Sequence, residues 1–173
     1  MIRSLLLILV PVVVIAAVFT NLPSEHPVNV VDWKPVLATA RRDAPFPVLA
    51  PTNLPDGWRA TQVRFVKEGD TDIDRQPSPR NLWELNFLTP DNIFIGLDQG
   101  DQQPQDLIDD KTRKGTADGT STVGDQTWQR MVTADGRTRS LVLSQPKVTT
   151  IVSGDLPYEA LEAYASTLSS GGV

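Results

Sequence analysis

The sequence predicts an α+β fold, with an N-terminal transmembrane helix followed by an antiparallel β-sheet packed with helices as a two-layer sandwich. Three observations lead to this prediction: an uncharged apolar run at 5–22, several short segments of alternating apolar and polar residues, and tight-turn residues between those segments. Such alternation is typical of half-buried strands, and tight turns join antiparallel neighbours. We therefore divide the chain into an anchor (1–22), an extended linker (23–36) and an extracytoplasmic domain (37–173).

The segment from Leu5 to Leu22 is predicted to cross a membrane. Sixteen of its eighteen residues are apolar, counting Pro11, and none is charged. At ~1.5 Å per residue the helix measures roughly 27 Å, close to the ~30 Å of a hydrocarbon core. A cleaved signal peptide is the alternative, although no small-x-small cleavage pattern follows the apolar run. Arg3 precedes the run and the next Lys or Arg is Lys34, so the positive-inside rule places the N-terminus in the cytoplasm.

The linker and the start of the domain are rich in proline. Residues 23–36 contain three prolines, which favour extended backbone. Within them, Trp33 is expected at the membrane interface or against a partner, or else as an apolar plug at the edge of the domain. A short helix is predicted at Val36–Asp43. The following proline-rich segment, 44–58, is predicted to lie as an irregular strap over the core.

The remaining elements follow from periodicity and turn chemistry. Thr-Pro-Asp-Asn at 89–92 predicts a tight turn between two strands. A helix is predicted at Pro104–Lys114, because acidic residues come early, basic residues come late and Gly115 follows. An amphipathic helix from about Pro157 and a frayed tail from Ser169 close the chain. The predicted strands are 61–65, 83–87, 93–97, 127–133, 139–144 and 148–153.

A long polar segment separates the first two predicted strands. Residues 68–80 read EGDTDIDRQPSPR, which is longer than the ~2–5 residues of common hairpin loops. Two interpretations are open: a mobile, solvated loop, or a contact with a partner.

The composition argues against several classes of function. The chain has no cysteine, which excludes disulfides, thiolate metal sites and cysteine nucleophiles. Its one histidine, His26, lies in the predicted linker and is poorly placed for a catalytic triad or a metal site. A net charge of −5 without a basic patch disfavours binding to nucleic acid. We therefore expect no catalytic residue, no metal and no cofactor.

The carboxylates suggest two further possibilities. One aspartate triplet resembles the start of a calcium loop, but the glycine and glutamate of that loop are missing. Its members are Asp70, Asp72 and Asp74. A hydrolase is the second possibility, and its simplest form uses the aspartates that follow the third predicted strand, namely Asp98, Asp101 and Asp106.

Four motifs carry a resemblance to a known family. They are APFPVLAP at 44–51, LPDGWRAT at 54–61, WELNFLTPDNIFIGLDQ at 83–99 and QTW at 126–128 after a glycine. Together they resemble an uncharacterised actinobacterial family of single-pass envelope proteins, catalogued as a domain of unknown function. The residues that carry the resemblance are Pro45, Leu54, Pro55, Gly57, Trp58, Trp83, Gly96, Leu97 and Trp128. The resemblance implies an inner-membrane anchor and supplies no catalytic residues.

The function expected from these observations is that of a non-enzymatic accessory or interaction subunit. It would belong to a larger inner-membrane complex, with the domain on the outer face, and a respiratory cytochrome or oxidase assembly is a candidate. The residues expected to contact the membrane or other integral membrane subunits are Leu5, Leu9, Pro11, Val14, Phe19 and Trp33. The alternative is an envelope lipid- or small-ligand-binding module, which requires an apolar pocket of roughly several hundred Å³.

Overall fold

The computed structural model describes residues 29–171, in which an antiparallel sheet is flanked by three helices. The helices are α1 (Lys34–Asp43), α2 (Pro104–Lys111) and α3 (Tyr158–Ser166). The strands are β1 (Ala50–Pro51), β2 (Arg59–Val66), β3 (Leu82–Leu88), β4 (Phe94–Gly100), β5 (Thr116–Val123), β6 (Gln126–Val132), β7 (Arg139–Gln145), β8 (Val148–Gly154) and β9 (Leu168–Ser169). Seven strands form the main sheet in the order β2-β3-β4-β8-β7-β6-β5. All neighbours are antiparallel, which confirms the predicted sheet type.

The main sheet is covered by helices on both faces. Trp83 and Leu85 of β3 belong to the core cluster that includes Leu37 of α1 and Leu161 of α3, whereas Leu82 packs in a second cluster with α2. Because successive side chains of a strand point to opposite faces, α2 lies across the sheet from α1 and α3. The predicted two-layer sandwich is therefore wrong in its number of layers, which is three. The sequence signal for the third layer is weak, because α2 buries one apolar side chain of its own.

The predicted turn at 89–92 is confirmed and joins β3 to β4. The Asn92 amide donates to the Thr89 carbonyl (2.9 Å), and the Thr89 amide donates to the Ile93 carbonyl (3.0 Å). Asn92 has φ of 59°, a left-handed conformation that asparagine tolerates well. The hairpin holds its strands in register from Leu88–Phe94 to Leu82–Gly100 and supplies the centre of the core.

The first two helices differ from prediction at their ends. α1 begins at Lys34, inside the predicted linker, because Pro35 suits the first turn of a helix, where its missing N–H is not needed. α2 ends at Lys111 rather than three residues later. Arg113 and Lys114 both have positive φ (55° and 56°), a left-handed conformation that cannot continue an α-helix.

Strand β5 was not predicted. It lies at the edge of the sheet and buries Ser121 alone, so no period-two apolar pattern marks it. Gly119 lies where the register of β5 against β6 shifts between Ala117 and Thr120. Its φ of 87° suits such a bulge. Gly124 lies in the turn that joins β5 to β6.

The proline-rich strap and the C-terminal tail pair with each other. β1 and β9 form a short antiparallel ladder, in which Ala50 faces Ser169. The Thr52 amide extends it by donating to the Thr167 carbonyl (2.9 Å). The tail is therefore not frayed at its start, because the strap supplies it with backbone partners.

Residues 68–80 fold back on themselves as a narrow excursion from the sheet. The Gly69 amide donates to the Ser78 carbonyl (2.8 Å), and Thr71 forms an isolated bridge with Pro77. Ser78 is buried at the base, while Ile73 at the tip is 73% exposed. This geometry gives the segment internal order, and contact with a partner stays a prediction.

The predicted transmembrane helix lies outside the described residues. So do five of the residues predicted to contact membrane or partner, namely Leu5, Leu9, Pro11, Val14 and Phe19. Within 29–171, none of the helices combines the length and the apolar character that crossing a bilayer requires.

Candidate functional site

The segment 53–58 and helix α3 form the walls of an apolar pocket. The segment is held at one end by the β1–β9 ladder and at the other by the start of β2. Between these ends the Trp58 amide donates to the Pro55 carbonyl (3.3 Å), and Gly57 has φ of 81°. A Cβ at Gly57 would lie 3.0 Å from Pro90 Cγ, so the turn needs glycine for its conformation and for the close approach.

The pocket has a volume of about 480 Å³, within the usual range for small-molecule sites. Its lining is mostly carbon. The residues on its walls include Leu54, Pro55, Trp58, Ala160, Ala163 and Tyr164. The small side chains of Ala160 and Ala163 leave space that a larger residue on this face of α3 would fill. The pocket meets the size and polarity that the ligand-binding hypothesis requires.

Aromatic rings form the floor of this apolar pocket. Trp58 stacks on Tyr164 with ring centroids 5.6 Å apart and an interplanar angle of 17°. Phe87 of β3 contacts both rings, at 6.3 Å and 6.2 Å, and Trp33 meets Phe87 edge-on at 6.3 Å. Offset and edge contacts of this kind contribute about 0.5–1.5 kcal/mol each beyond area burial, so they stabilise the floor.

The Tyr164 hydroxyl is buried and has no hydrogen-bond partner among the described residues. Burial raises the pKa of this phenol, and the negative charge of Asp98 acts in the same direction. The group therefore stays protonated and keeps a free donor. An unpaired buried hydroxyl costs about 1–3 kcal/mol of folding free energy, so stability alone does not favour a tyrosine at position 164.

A second cavity, of about 440 Å³, adjoins the C-terminal part of α3. Leu49, Trp128, Ser166 and Leu168 line it together with several polar residues, so its lining is mixed rather than apolar. The Trp128 indole N–H is buried and unpaired within 29–171. This cavity is a natural comparison for the apolar pocket, because both use the same helix.

A charged cluster lies on the opposite face of the sheet, beneath α2. Glu84 of β3 and Asp98 of β4 are directly opposite in the strand register, and both are nearly fully buried. The Lys111 ammonium at the end of α2 contacts both carboxylates, Glu84 closely and Asp98 at 3.6 Å. The Arg64 guanidinium of β2 pairs with Glu84 and with Asp72. The cluster thus ties three strands, one helix and the excursion 68–80 together.

Burial raises the pKa of Asp98 to about 7. The nearby Lys111 ammonium opposes this shift, while the carboxylates of Glu84 and Asp110 add to it. Burial works against the charged form of Lys111, but Asp98 and Glu84 outweigh it and raise the pKa of the ammonium. Asp98 is therefore a carboxyl that exchanges its proton near neutrality, whereas Lys111 stays charged.

The three aspartates of the hydrolase hypothesis, Asp98, Asp101 and Asp106, lie in different environments. Asp101 accepts hydrogen bonds from the Asn81 amide (2.9 Å) and from Asn81 Nδ2 (2.7 Å), which is a role in holding a turn. Asp106 lies in the first turn of α2 and lines a small cleft on the other side of Lys111 from Asp98. Buried Glu84, which was not among the predicted acids, is the carboxylate that faces Asp98.

The aspartate triplet resembling a calcium loop is used in local contacts. Asp72 pairs with Arg64, and the Gln76 amide donates to Asp74 Oδ1 (2.9 Å). Across the described part of the chain, no cluster of three or more histidine, aspartate or glutamate side chains has the geometry to hold a metal ion.

Trp33 is the predicted contact residue that the structure describes. It precedes α1, is half-buried and packs on Phe87, which corresponds to the edge-plug interpretation left open by the sequence. The apolar pocket itself was not predicted, although its sequence signal was present. The turn motif LPDGW places Leu54, Pro55 and Trp58 on one short segment, but its contact with α3 requires the tertiary fold.

The fold and its pockets define a small α+β domain with an aromatic-floored apolar pocket on one face and a buried charge cluster on the other. A family model described as "Protein of unknown function (DUF4245)" matches residues 1–168, and the chain belongs to this family. A comparison with curated proteins gives no match. Three of the residues that carry the resemblance, Leu54, Pro55 and Trp58, line the apolar pocket.

Proposed function

We propose that this domain is a non-enzymatic binding module that holds the acyl chain of a lipid in the apolar pocket. The observation that carries the proposal is the cavity of about 480 Å³ between 53–58 and α3, with its stacked floor of Trp58 and Tyr164. Each methylene removed from water contributes ~0.8 kcal/mol, so about six of them supply roughly 5 kcal/mol against the entropic cost of binding.

The position of the pocket supports a lipid rather than a water-soluble apolar molecule. The Val31 amide donates to the Ala60 carbonyl (2.9 Å), two residues beyond Trp58, so the chain enters the domain beside the pocket. Val31 comes nine positions after Leu22, the end of the predicted anchor. Extended, this stretch spans at most about 30 Å, which keeps the pocket near the membrane surface on this proposal.

Asn53 and Thr167 supply the polar part of the pocket's lining. Pockets for small ligands are mostly apolar and contain a few polar groups that orient the ligand. The carboxamide of Asn53 can donate to an ester or carboxyl oxygen. The pocket therefore suits a chain that carries an acceptor at one end.

Photolabelling of the full-length protein tests this proposal. Diazirine-bearing palmitic acid is added to the protein in mild detergent, and the adducts are mapped by peptide mass spectrometry. We expect adducts in the peptides that contain 53–58 and α3. Ala163→Phe, which fills the apolar pocket, should lower that labelling several-fold.

Ser166→Phe is the matched control, because it introduces the same side chain on the same helix but at the second cavity. Equal thermal unfolding temperatures show that both variants fold. Labelling that survives in Ala163→Phe and disappears in Ser166→Phe would assign the ligand to the second cavity and overturn the proposal. So would labelling confined to peptides outside both cavities.

We retain the accessory-subunit function as a second proposal, because the apolar segment Leu5–Leu22 supports it. Sixteen apolar residues in eighteen suit helix contacts within a membrane as well as contacts with lipid. Its test is gentle extraction followed by affinity purification of the tagged chain. A stoichiometric integral membrane partner is the expected result, and recovery of the chain alone counts against this function.

A further inference from the structure

On the face of the sheet covered by α2, a small polar cavity of about 190 Å³ lies beside Asp98. Asn86, Asp98, Ser153 and Phe94 are among the residues that line it. Gly96 lies beneath two of these side chains, because a Cβ at this position would approach Asn86 Oδ1 and Phe94 Cζ to 2.9 Å each. Any side chain at Gly96 would therefore displace part of the lining.

Three neighbouring strands present hydrogen-bonding groups to this polar cavity. In the strand register, Gly96 lies between Asn86 of β3 and Ser153 of β8, and Asp98 follows two residues along β4. Asn86 Nδ2 donates to Gln62 Oε1 (3.3 Å), which leaves Asn86 Oδ1 buried and unpaired within 29–171. Asp98 is 4% exposed and Ser153 is 5% exposed, yet both side chains line the cavity.

The rim of the polar cavity combines balanced charge with one apolar ring. Lys111 and Arg113 contribute positive charge there, while Asp98 and Asp110 contribute carboxyl groups. A formally charged ligand gains little from such a balance, whereas hydroxyl groups can both donate and accept. Phe94 is 36% exposed at the rim and offers a ring face to carbon.

From this arrangement we propose that the polar cavity binds one neutral sugar ring. Hydroxyl groups of the ring pair with the Asp98 carboxyl and the Ser153 hydroxyl, and its C–H face packs on Phe94. The site lies on the opposite face of the sheet from the apolar pocket, so it is independent of lipid binding. The ring can be a free monosaccharide or the terminal unit of a glycan, because both present the same chemistry.

Saturation-transfer NMR tests the proposal on the full-length protein in a detergent without a sugar headgroup. The probes are glucose, galactose, mannose and N-acetylglucosamine, their methyl glycosides and β-linked disaccharides, each at about 10 mM to detect a Kd on the order of 1 mM. Glucosamine and glucuronate serve as the charged comparisons. We expect transfer to the ring protons of at least one neutral sugar. Signals from the terminal ring of a disaccharide, or from free monosaccharides only, separate the terminal unit of a glycan from a free monosaccharide.

Two substitutions locate the binding. Gly96→Ala displaces the lining side chains of Asn86 and Phe94 and should weaken binding at least tenfold. Phe94→Ala removes an exposed ring, so it folds even if Gly96→Ala does not, and it should lower transfer several-fold. Ala163→Phe, in the apolar pocket, should leave transfer unchanged. No transfer to any sugar, equal transfer in the two cavity variants and the wild type, or stronger transfer to glucosamine or glucuronate than to neutral sugars would each overturn the proposal.

Discussion

Replacing Asp98 with asparagine should remove a pH-dependent loss of stability. Asp98 has a pKa of about 7 in the folded protein, against an ordinary value of 3.8, because burial disfavours its charged form. A raised carboxyl pKa stabilises the folded state fully below about pH 4, and this contribution is lost as pH rises through 7. Glu84 of β3, and Lys111 and Asp110 of α2, are the charged groups that act on Asp98.

The size of the effect follows from the titration range. Between pH 5 and pH 8, Asp98 of the folded protein keeps its proton for about two pH units. The same carboxyl in the unfolded chain is already ionised throughout this range. At ~1.4 kcal/mol per unit, the wild-type protein should lose roughly 2–3 kcal/mol of unfolding free energy over this range on account of Asp98. Asp98→Asn mimics the neutral carboxyl, so its unfolding free energy should decline less by about that amount.

Urea unfolding at pH 5, 6, 7 and 8, followed by near-ultraviolet circular dichroism, measures this difference. Asp125→Asn is the matched control, because Asp125 is exposed in the turn between β5 and β6 and should keep the wild-type pH dependence. Parallel pH profiles for Asp98→Asn and wild type would refute the reasoning. So would a profile for Asp98→Asn that falls more steeply as the pH rises.

Two further predictions compare matched pairs of side chains by urea unfolding at pH 7. Tyr164→Phe removes an unpaired hydroxyl and should be neutral or stabilising by up to about 1 kcal/mol. Tyr158→Phe loses hydrogen bonds to Asp118 and to a backbone carbonyl and should cost about 1–3 kcal/mol. Equal losses of unfolding free energy would contradict the statement that the Tyr164 hydroxyl is unpaired. Glu84→Gln leaves two half-buried cations short of a carboxylate and should cost about 3 kcal/mol, against about 0–1 kcal/mol for Glu162→Gln in its more exposed ion pair with an arginine. A Glu84→Gln cost no larger than that of Glu162→Gln would mean that the buried cluster does not stabilise the fold.

The strands that pack against the core on one face were predictable, and the edge strand was not. Trp83, Leu85 and Phe87 alternate with less apolar residues because one face of β3 meets the main core cluster. β5 lacks this pattern because an edge strand exposes most of its side chains. Backbone pairing with β6, rather than side-chain burial, holds it in the sheet. Periodicity in a sequence reflects which side chains are buried, so it does not predict a strand that is held by backbone hydrogen bonds alone.

The candidate sites were less predictable than the strands. Asp98 was identified as an acid of interest, but Glu84 resembled an outward-facing residue of an alternating strand. The structure buries Glu84 because α2 covers the second face of the sheet and brings Lys111 to it. The apolar pocket likewise combines a turn motif at 53–58 with a helix about one hundred residues later in the chain.

The sequence by itself determined the antiparallel sheet, the turn at 89–92, the overall placing of three helices and the family. These features depend on residue periodicity and local backbone preference, which act over a few neighbouring residues. The tertiary structure alone decided that helices cover both faces, that Glu84 and Asp98 face each other beneath Lys111, and that Trp58 stacks on Tyr164. Each of these is a contact between residues distant in the chain, set by strand register and by the packing of helices onto the sheet.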